Sequence, residues 1–268
     1  MTTAPRPSVA VIGFGAMARS LQGNLAARPQ GPQITSCLLA PDSARSVPSE
    51  IAVHRTAGDL AASRPDLVVE CAGHHALAEH VPQLLAAGVD VAIVSIGALC
   101  DDALRERLTR AAEAGGSRVI PVAGAVGGLD LLRAARLAGL DAVTYRGIKP
   151  PRAWAGSPAE EVFDAETLEA PLTFFEGTAR EAAKAFPKNA NVAAAIALAG
   201  TGLDATRVEL VADPAARANC HQIEASGDFG TMSFAVENRP LPSNPKTSHL
   251  AALSIEAAVL EAFARADF

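Results

Sequence analysis

What this chain lacks narrows it before anything it contains. None of its 268 residues belong to an apolar run of 18 or more, so no membrane-spanning helix is expected. The opening MTTAPRPS has no apolar core of the kind that directs secretion, and the cytoplasm is the expected compartment. Positive charge is not in excess. Lys and Arg number 23 against 29 Asp and Glu, a net charge of −6, and no basic stripe marks out a nucleic-acid partner. Aromatics make up 4% with one Trp and one Tyr, which leaves no stacking platform for bases. The four cysteines, Cys37, Cys71, Cys100 and Cys220, stand far apart and never as C-x-x-C. They read as reduced thiols, with neither a disulfide frame nor a metal site expected. Charged residues are 19% and hydrophobic ones 49%, the balance of a chain with a sizeable core. The length allows two modest domains or one large one.

What is present begins with Ser8 to Leu25. Ser8-Val9-Ala10-Val11-Ile12 is an apolar, β-branched run suited to a buried parallel strand. It enters Gly13-Phe14-Gly15-Ala16-Met17-Ala18, a G-x-G-x-x-A turn, after which Met17, Leu21 and Leu25 recur on one helix face. Gly13 allows the tight turn, Gly15 lets backbone approach a pyrophosphate, and Ala18 lets helix pack closely on strand. The N–H groups of the first helical turn then face the phosphates, where the helix dipole favours negative charge. Gly13, Gly15, Ala16 and Met17 are therefore expected to hold a dinucleotide, NAD or NADP.

The second strand, Gln33 to Leu39, ends in Leu39-Ala40-Pro41 without the acidic residue that grips a ribose 2′-hydroxyl in strict NAD sites. Asp42 comes slightly late. Ser43 and Arg45 follow, suited to a 2′-phosphate through a charge-assisted fork, so NADP is expected to serve at least as readily as NAD. A solvated loop with an incidental Arg is the alternative. Further strands are expected at Ile51–His54, Leu67–Ala72, Val89–Ser95 and Arg118–Val122, with helices at Ala57–Ser63, His75–Ala87 and Asp101–Ala114 between them. Ala72, Gly73 and Ser95 fall at carboxyl ends of strands, where open α/β sheets contact ligands, and join the expected cofactor residues. The alternation predicts a Rossmann-type doubly wound parallel sheet.

Ala123 to Asp130 is a glycine-rich exit, suited to close approach at the nicotinamide side or to a domain hinge. Beyond Gly139 strands cluster, at Ala142–Lys149, Leu172–Gly177, Arg207–Ala212, Asn219–Ala225 and Phe229–Glu237. Helices are expected near Thr178–Ala185 and Asn191–Leu203, and Arg152–Ala170 reads as loop. That pattern predicts a second α+β domain on a mixed or antiparallel sheet. The expected division is 1–125 for the dinucleotide domain and 126–244 for the second, with a closing helix over 245–268 that docks back on the first. Lys188-Asn189-Ala190-Asn191 and Asn244-Pro245-Lys246-Thr247-Ser248 each join a Lys and polar donors to an expected helix start. That is a dock for an anionic substrate, or ordinary helix capping. His221 sits inside an alternating strand, and by itself a strand histidine is more often at the surface or structural than catalytic.

These segments together resemble the L-aspartate dehydrogenases, over nearly the whole chain. The shared marks are Ile12–Met17, Glu70-Cys71-Ala72-Gly73, Ser95–Leu99, Gly124–Asp130, Lys188–Ala193, Asn219-Cys220-His221 and Asn244–Ser248. The resemblance implies a Rossmann domain with an α+β substrate and dimerisation domain, hence a homodimer. It also implies conversion of L-aspartate, NAD(P)+ and water into oxaloacetate, ammonia and NAD(P)H by way of iminoaspartate, with a possible place in pyridine nucleotide biosynthesis. Under it the catalytic histidine falls on His221, and two cofactor contacts fall on Ala125 and Asn191. Candidates for the two substrate carboxylates are Lys188, Asn189, Lys246, Thr247 and Ser248, with Lys149 a weaker one. Competing expectations are a reductase of homoserine-dehydrogenase or dihydrodipicolinate-reductase type and a non-catalytic NADP-binding sensor.

Overall fold

The structure, a computed structural model, describes residues 5–242 and 244–264, without the side chains of Lys188, Pro245 and Lys246. It divides into two compact units. One runs as far as Val122 and resumes at Ala252, and the other spans Ala123–Ala251.

In the first unit the apolar runs become short buried strands and the amphipathic segments become helices. They are β1 (Ser8–Ile12), α1 (Ala16–Ala26), β2 (Gln33–Leu38), β3 (Ala52–His54), α2 (Ala57–Ala62), β4 (Leu67–Glu70), α3 (His74–Ala86), β5 (Val91–Ile93), α4 (Asp102–Gly115) and β6 (Val119–Pro121). The strands form one six-stranded sheet in the order β3-β2-β1-β4-β5-β6, every pairing parallel. That is the order of a doubly wound dinucleotide-binding sheet, and it reverses between β1 and β4. Val9, Val11, Val69 and Ala92 of the sheet pack with Ala18, Leu21 and Leu25 of α1 in one core. Helix ends are set by local chemistry. Asp101 accepts from the N–H groups of Ala103 and Leu104 at the start of α4, and Gly116 closes that helix at φ +63°.

The second unit carries α5 (Leu129–Ala138), β7 (Leu140–Lys149), β8 (Leu172–Thr178), α6 (Ala179–Ala185), α7 (Ala190–Ala199), β9 (Arg207–Ala212), β10 (Asn219–Gly227) and β11 (Gly230–Asn238). Its five strands run β11-β10-β7-β9-β8, mixed in direction, because β7 and β9 pair parallel and the other neighbours antiparallel. The segment 152–170, read from sequence as loop, contains two short 3₁₀ turns, and one of them buries Trp154. Helix α7 ends at Gly200, short of the expected Leu203, where Gly202 turns at φ +94°.

One expectation is corrected here. Asn244–Ser248 does not open the last helix. It forms a strand, β13, paired antiparallel with β12 (Pro240–Leu241), and the helix α8 starts at His249 and runs to Phe263. The reason is local: Asn244 precedes a proline, which disfavours the α region, and Thr247 is β-branched. From Ala252 the helix counts with the first unit, where Ile255 and Val259 enter the β1–α1 core. Glu256 fixes the docking there by accepting from Asn24 at 2.8 Å and from Arg28 at 2.9 Å.

Candidate active site

In the first unit Gly13, Phe14 and Gly15 of the G-x-G-x-x-A turn border a crevice of about 400 Å³ at the carboxyl ends of β1, β2 and β4, and Ala16 and Met17 are not among its lining residues. Gly13, Gly15, Ser43, Arg45 and Ala72 all line it. Gly13 has φ +82°, and a Cβ there would lie 2.9 Å from the Cβ of Ala72, so only glycine lets β1 and β4 deliver their loops side by side. Gly15 caps α1 with backbone alone, no side chain covering the first-turn N–H groups of Ala16 and Met17. A Cβ on Gly15 would meet the guanidinium of Arg45 at 3.9 Å, which places that cation at the mouth of the turn. Ser43 accepts from the backbone N–H of Arg45 at 3.4 Å. Among the lining residues at the end of β2, Leu38, Leu39 and Ala40, there is no carboxylate.

One residue here went unassigned in the sequence. Glu70, fully buried at the end of β4, accepts from the N–H groups of Ala72 and Gly73 at 2.8 Å each. Its other oxygen accepts from the N–H of Ser95 at 3.0 Å and of Val94 at 3.3 Å, and the Ser95 hydroxyl donates at 3.0 Å to the oxygen that Ala72 and Gly73 share. A single carboxylate thus fastens the loops after β4 and β5 to each other. Ser95 is itself buried, its hydroxyl directed at Glu70.

In the second unit chemistry gathers where β7 meets β10. Alternation along β7 puts Tyr145, Gly147 and Lys149 on one face. His221 of β10 pairs directly opposite Gly147. The Tyr145 hydroxyl and His221 Nδ1 lie 2.8 Å apart, both residues buried. Lys149 donates to Asn189 Oδ1 at 2.5 Å and rests 4.4 Å from the centre of the Trp154 ring. Burial lowers the pKa of Lys149 to about 8. Burial first, and the Lys149 charge second, lower that of His221 to about 4. Burial also raises Tyr145 above the ordinary phenol range. The cluster therefore holds a neutral imidazole, a neutral phenol and an amine that titrates near physiological pH.

The remaining expected residues all belong to the second unit. Asn189 precedes α7 yet makes no side-chain cap, since its amide oxygen is taken by Lys149. That removes the capping alternative at this position. Asn191 is an exposed residue in the first turn of α7. Ala125 is buried, and its carbonyl accepts from Asn238 at 2.9 Å. Ser248 donates to the same Asn238 at 2.7 Å, and Thr247 accepts from Asn244 at 2.9 Å. The side chains of Lys188 and Lys246 lie outside the described residues. In the glycine-rich exit, a Cβ on Gly127 would meet the ring of Phe234 at 2.8 Å, so packing also demands glycine there. Tyr145 was missed in the sequence, although the chain's one tyrosine, four residues before Lys149 on an alternating strand, was the available signal.

Comparison with known proteins fits both units. Residues 130–262 match the family described as aspartate dehydrogenase, C-terminal. Residues 13–121 match the one described as homoserine dehydrogenase, NAD binding domain. The L-aspartate dehydrogenase of Ruegeria pomeroyi is 49% identical over 256 residues, 95% of this chain and 92% of its own. That of Pseudomonas aeruginosa is 45% identical over 253 residues, 92% of this chain and 94% of its own. The crystal structure of aspartate dehydrogenase from Thermotoga maritima aligns with a TM-score of 0.78 at 27% identity, covering 98% of this chain and 99% of that one. A dihydrodipicolinate reductase from Paenisporosarcina shares the fold alone, with a TM-score of 0.55 at 17% identity over 96% of each chain. Relatives at this level of identity run through both units and not only the nucleotide-binding half, and the chain belongs to the L-aspartate dehydrogenase family.

Proposed function

We propose that this protein is an NAD(P)-dependent L-aspartate dehydrogenase, interconverting L-aspartate with oxaloacetate and ammonia through iminoaspartate. The observation that carries the reading is the buried His221, set beside Lys149 within the segment that matches the aspartate dehydrogenase C-terminal family. The first unit fits the cofactor. A crevice bordered by Gly13 and Gly15, uncapped N–H groups at the start of α1 and no carboxylate at the end of β2 suit a pyrophosphate and a ribose with or without a 2′-phosphate. When bound, NAD(P)+ supplies the acceptor for hydride from the aspartate α-carbon.

The protein's own residues handle charge and protons. Gly13, Gly15, Ala16, Met17, Ala72, Gly73 and Ser95 form or brace the pyrophosphate and nicotinamide surroundings, and Ala125 and Asn191 contribute the contacts that the family resemblance assigns. Ser43 and Arg45 take the 2′-phosphate, so NADP is used at least as readily as NAD. His221 is the acid/base, acting at Nε2, the ring nitrogen that Tyr145 does not engage. Lys188, Asn189, Lys246, Thr247 and Ser248 supply cations and polar donors for the two substrate carboxylates, joined by Lys149 when its amine is protonated. The enzyme works as a cytoplasmic homodimer, and pyridine nucleotide biosynthesis is a fitting destination for iminoaspartate. No helix among the described residues is long and apolar enough to cross a membrane.

The test is oxidation of NADH and of NADPH, followed separately by nicotinamide absorbance, with oxaloacetate and ammonium. Oxidation that requires both substrates is the expected result. Oxidation without ammonium would instead mark a ketoacid or aldehyde reductase, and tight cofactor binding without turnover would mark a sensor.

A further inference from the structure

We propose that Tyr145 is a positioning residue that holds His221 as a neutral imidazole with its hydrogen on Nε2, so that His221 meets the substrate as an N–H donor. This rests on the reading of His221 as the acid/base of the aspartate reaction and specifies the form in which it rests.

The geometry begins with a missing side chain. His221 stands opposite Gly147 across the β7–β10 ladder. A Cβ at Gly147 would lie 2.6 Å from the Tyr145 hydroxyl oxygen and 3.1 Å from its Cζ. The phenol therefore lies over the bare backbone of residue 147, and from there its hydroxyl reaches His221 Nδ1 at 2.8 Å. The two rings are stacked, with centroids 5.9 Å apart and planes at 28°. Leu210 packs on the same glycine, which makes the surroundings of the hydroxyl apolar.

The direction of that hydrogen bond follows from counting donors. Among the described residues the Tyr145 hydroxyl has no other hydrogen-bond partner. If Nδ1 carried the ring hydrogen and donated it, the phenol hydrogen would be buried without an acceptor. If the phenol donates to Nδ1, both groups are satisfied, and the ring hydrogen must then sit on Nε2. A carboxylate at Nδ1 would impose the opposite tautomer, as in hydrolase triads. Here the charged group acting on the ring is a cation, Lys149, which together with burial keeps the imidazole neutral. Cys220, the neighbouring titratable group, is pushed up by burial, then by Glu237, and stays a thiol. A neutral imidazole N–H suits an oxygen that gains negative charge, such as the one left when ammonia adds to the ketone carbon of oxaloacetate. His221 is then the acid of the amination direction at Nε2, and Lys149, lowered to about 8 by burial, is the amine that exchanges the remaining proton.

The experiment is nitrogen-15 NMR of the full-length protein labelled in its six histidines. The His221 signals are identified by their loss in His221→Gln. The expected result is a pyrrole-type Nε2 and a pyridine-type Nδ1 from pH 5 to 8. A pyrrole-type Nδ1 would overturn the proposal. Tyr145→Phe is expected to mix the two tautomers and to lower kcat about 10–100-fold, the range of a lost orienting partner, with the KM for NAD(P)H unchanged. Unaltered tautomer signals or an unaltered kcat in that variant would also overturn it. Should His221→Gln keep full turnover, the acid/base reading fails by itself, and the NMR of the unmodified protein still decides the tautomer.

Discussion

Burial sets the behaviour of the two bases in the second unit, and it pushes both in the same direction. His221 is lowered from 6.5 to about 4 and Lys149 from 10.5 to about 8. If a neutral Lys149 accepts the substrate proton, aspartate oxidation rises with pH through about 8, and Lys149→Met abolishes that limb of the kcat/KM profile. His221→Ala is expected to lower kcat by ~10²–10⁴-fold, the usual contribution of a placed acid/base, read in the oxaloacetate and ammonium assay. His221 also links stability to pH. Its folded pKa lies below its unfolded one, so the stability it contributes is complete above pH 6.5 and is lost as pH falls toward 4. The loss at the acid end is on the order of 3 kcal/mol, and urea unfolding of His221→Gln at pH 7 and pH 4 is expected to show a smaller acid penalty than the unmodified protein.

At the scale of elements, the first unit's site depends on loops that two residues bring together. Gly13 combines a positive φ with a Cβ position only 2.9 Å from Ala72, so Gly13→Ala strains the β1–α1 turn and pushes it from the β4 loop. The expected result is at least a tenfold weaker NAD(P)H affinity by fluorescence titration, equivalent to ~1.4 kcal/mol. Glu70 holds the β4 and β5 loops through backbone N–H groups on both sides. Glu70→Gln turns an amide donor toward donors, leaving at least one N–H unpaired in a buried place at a cost of about 1–3 kcal/mol. A lower Tm with weaker cofactor binding is expected, while Glu79→Gln, on the exposed side of α3, changes the Tm little.

At the scale of the molecule, the chain leaves its first unit at Val122 and rejoins it at Ala252. The return is structural, because Ile255 is fully buried in the β1–α1 core and Glu256 ties down Asn24 and Arg28. Ile255→Ala is expected to cost about 2–5 kcal/mol in urea unfolding and, with the core loosened, to weaken cofactor binding more than 200 residues away in sequence.

Much of this was legible in the linear chain because its causes are local. A parallel strand buried on both faces must be an apolar run, a dinucleotide turn must be small at fixed positions, and Gly88 and Gly116 end helices by a backbone conformation that few other residues adopt. The doubly wound sheet, the mixed second sheet and the places of Gly13, Gly15 and Ala72 on the crevice followed from those patterns. Asn244–Ser248 resembled a helix start, but its proline step and the nearby Pro240–Leu241 make it a strand. Elsewhere partners distant in sequence decided. Asn189 resembled a cap but accepts from Lys149, which is forty residues earlier. Glu70 looked like one more polar strand end until the loop after β5 closed on it. The Tyr145–His221 contact joins residues 76 apart, through a register that places a glycine opposite a histidine. Sequence determined which groups were available, since backbone propensity and apolar periodicity act over a few residues. Tertiary structure alone decided which of them meet and in what charge state, because strand register and burial depend on the whole fold.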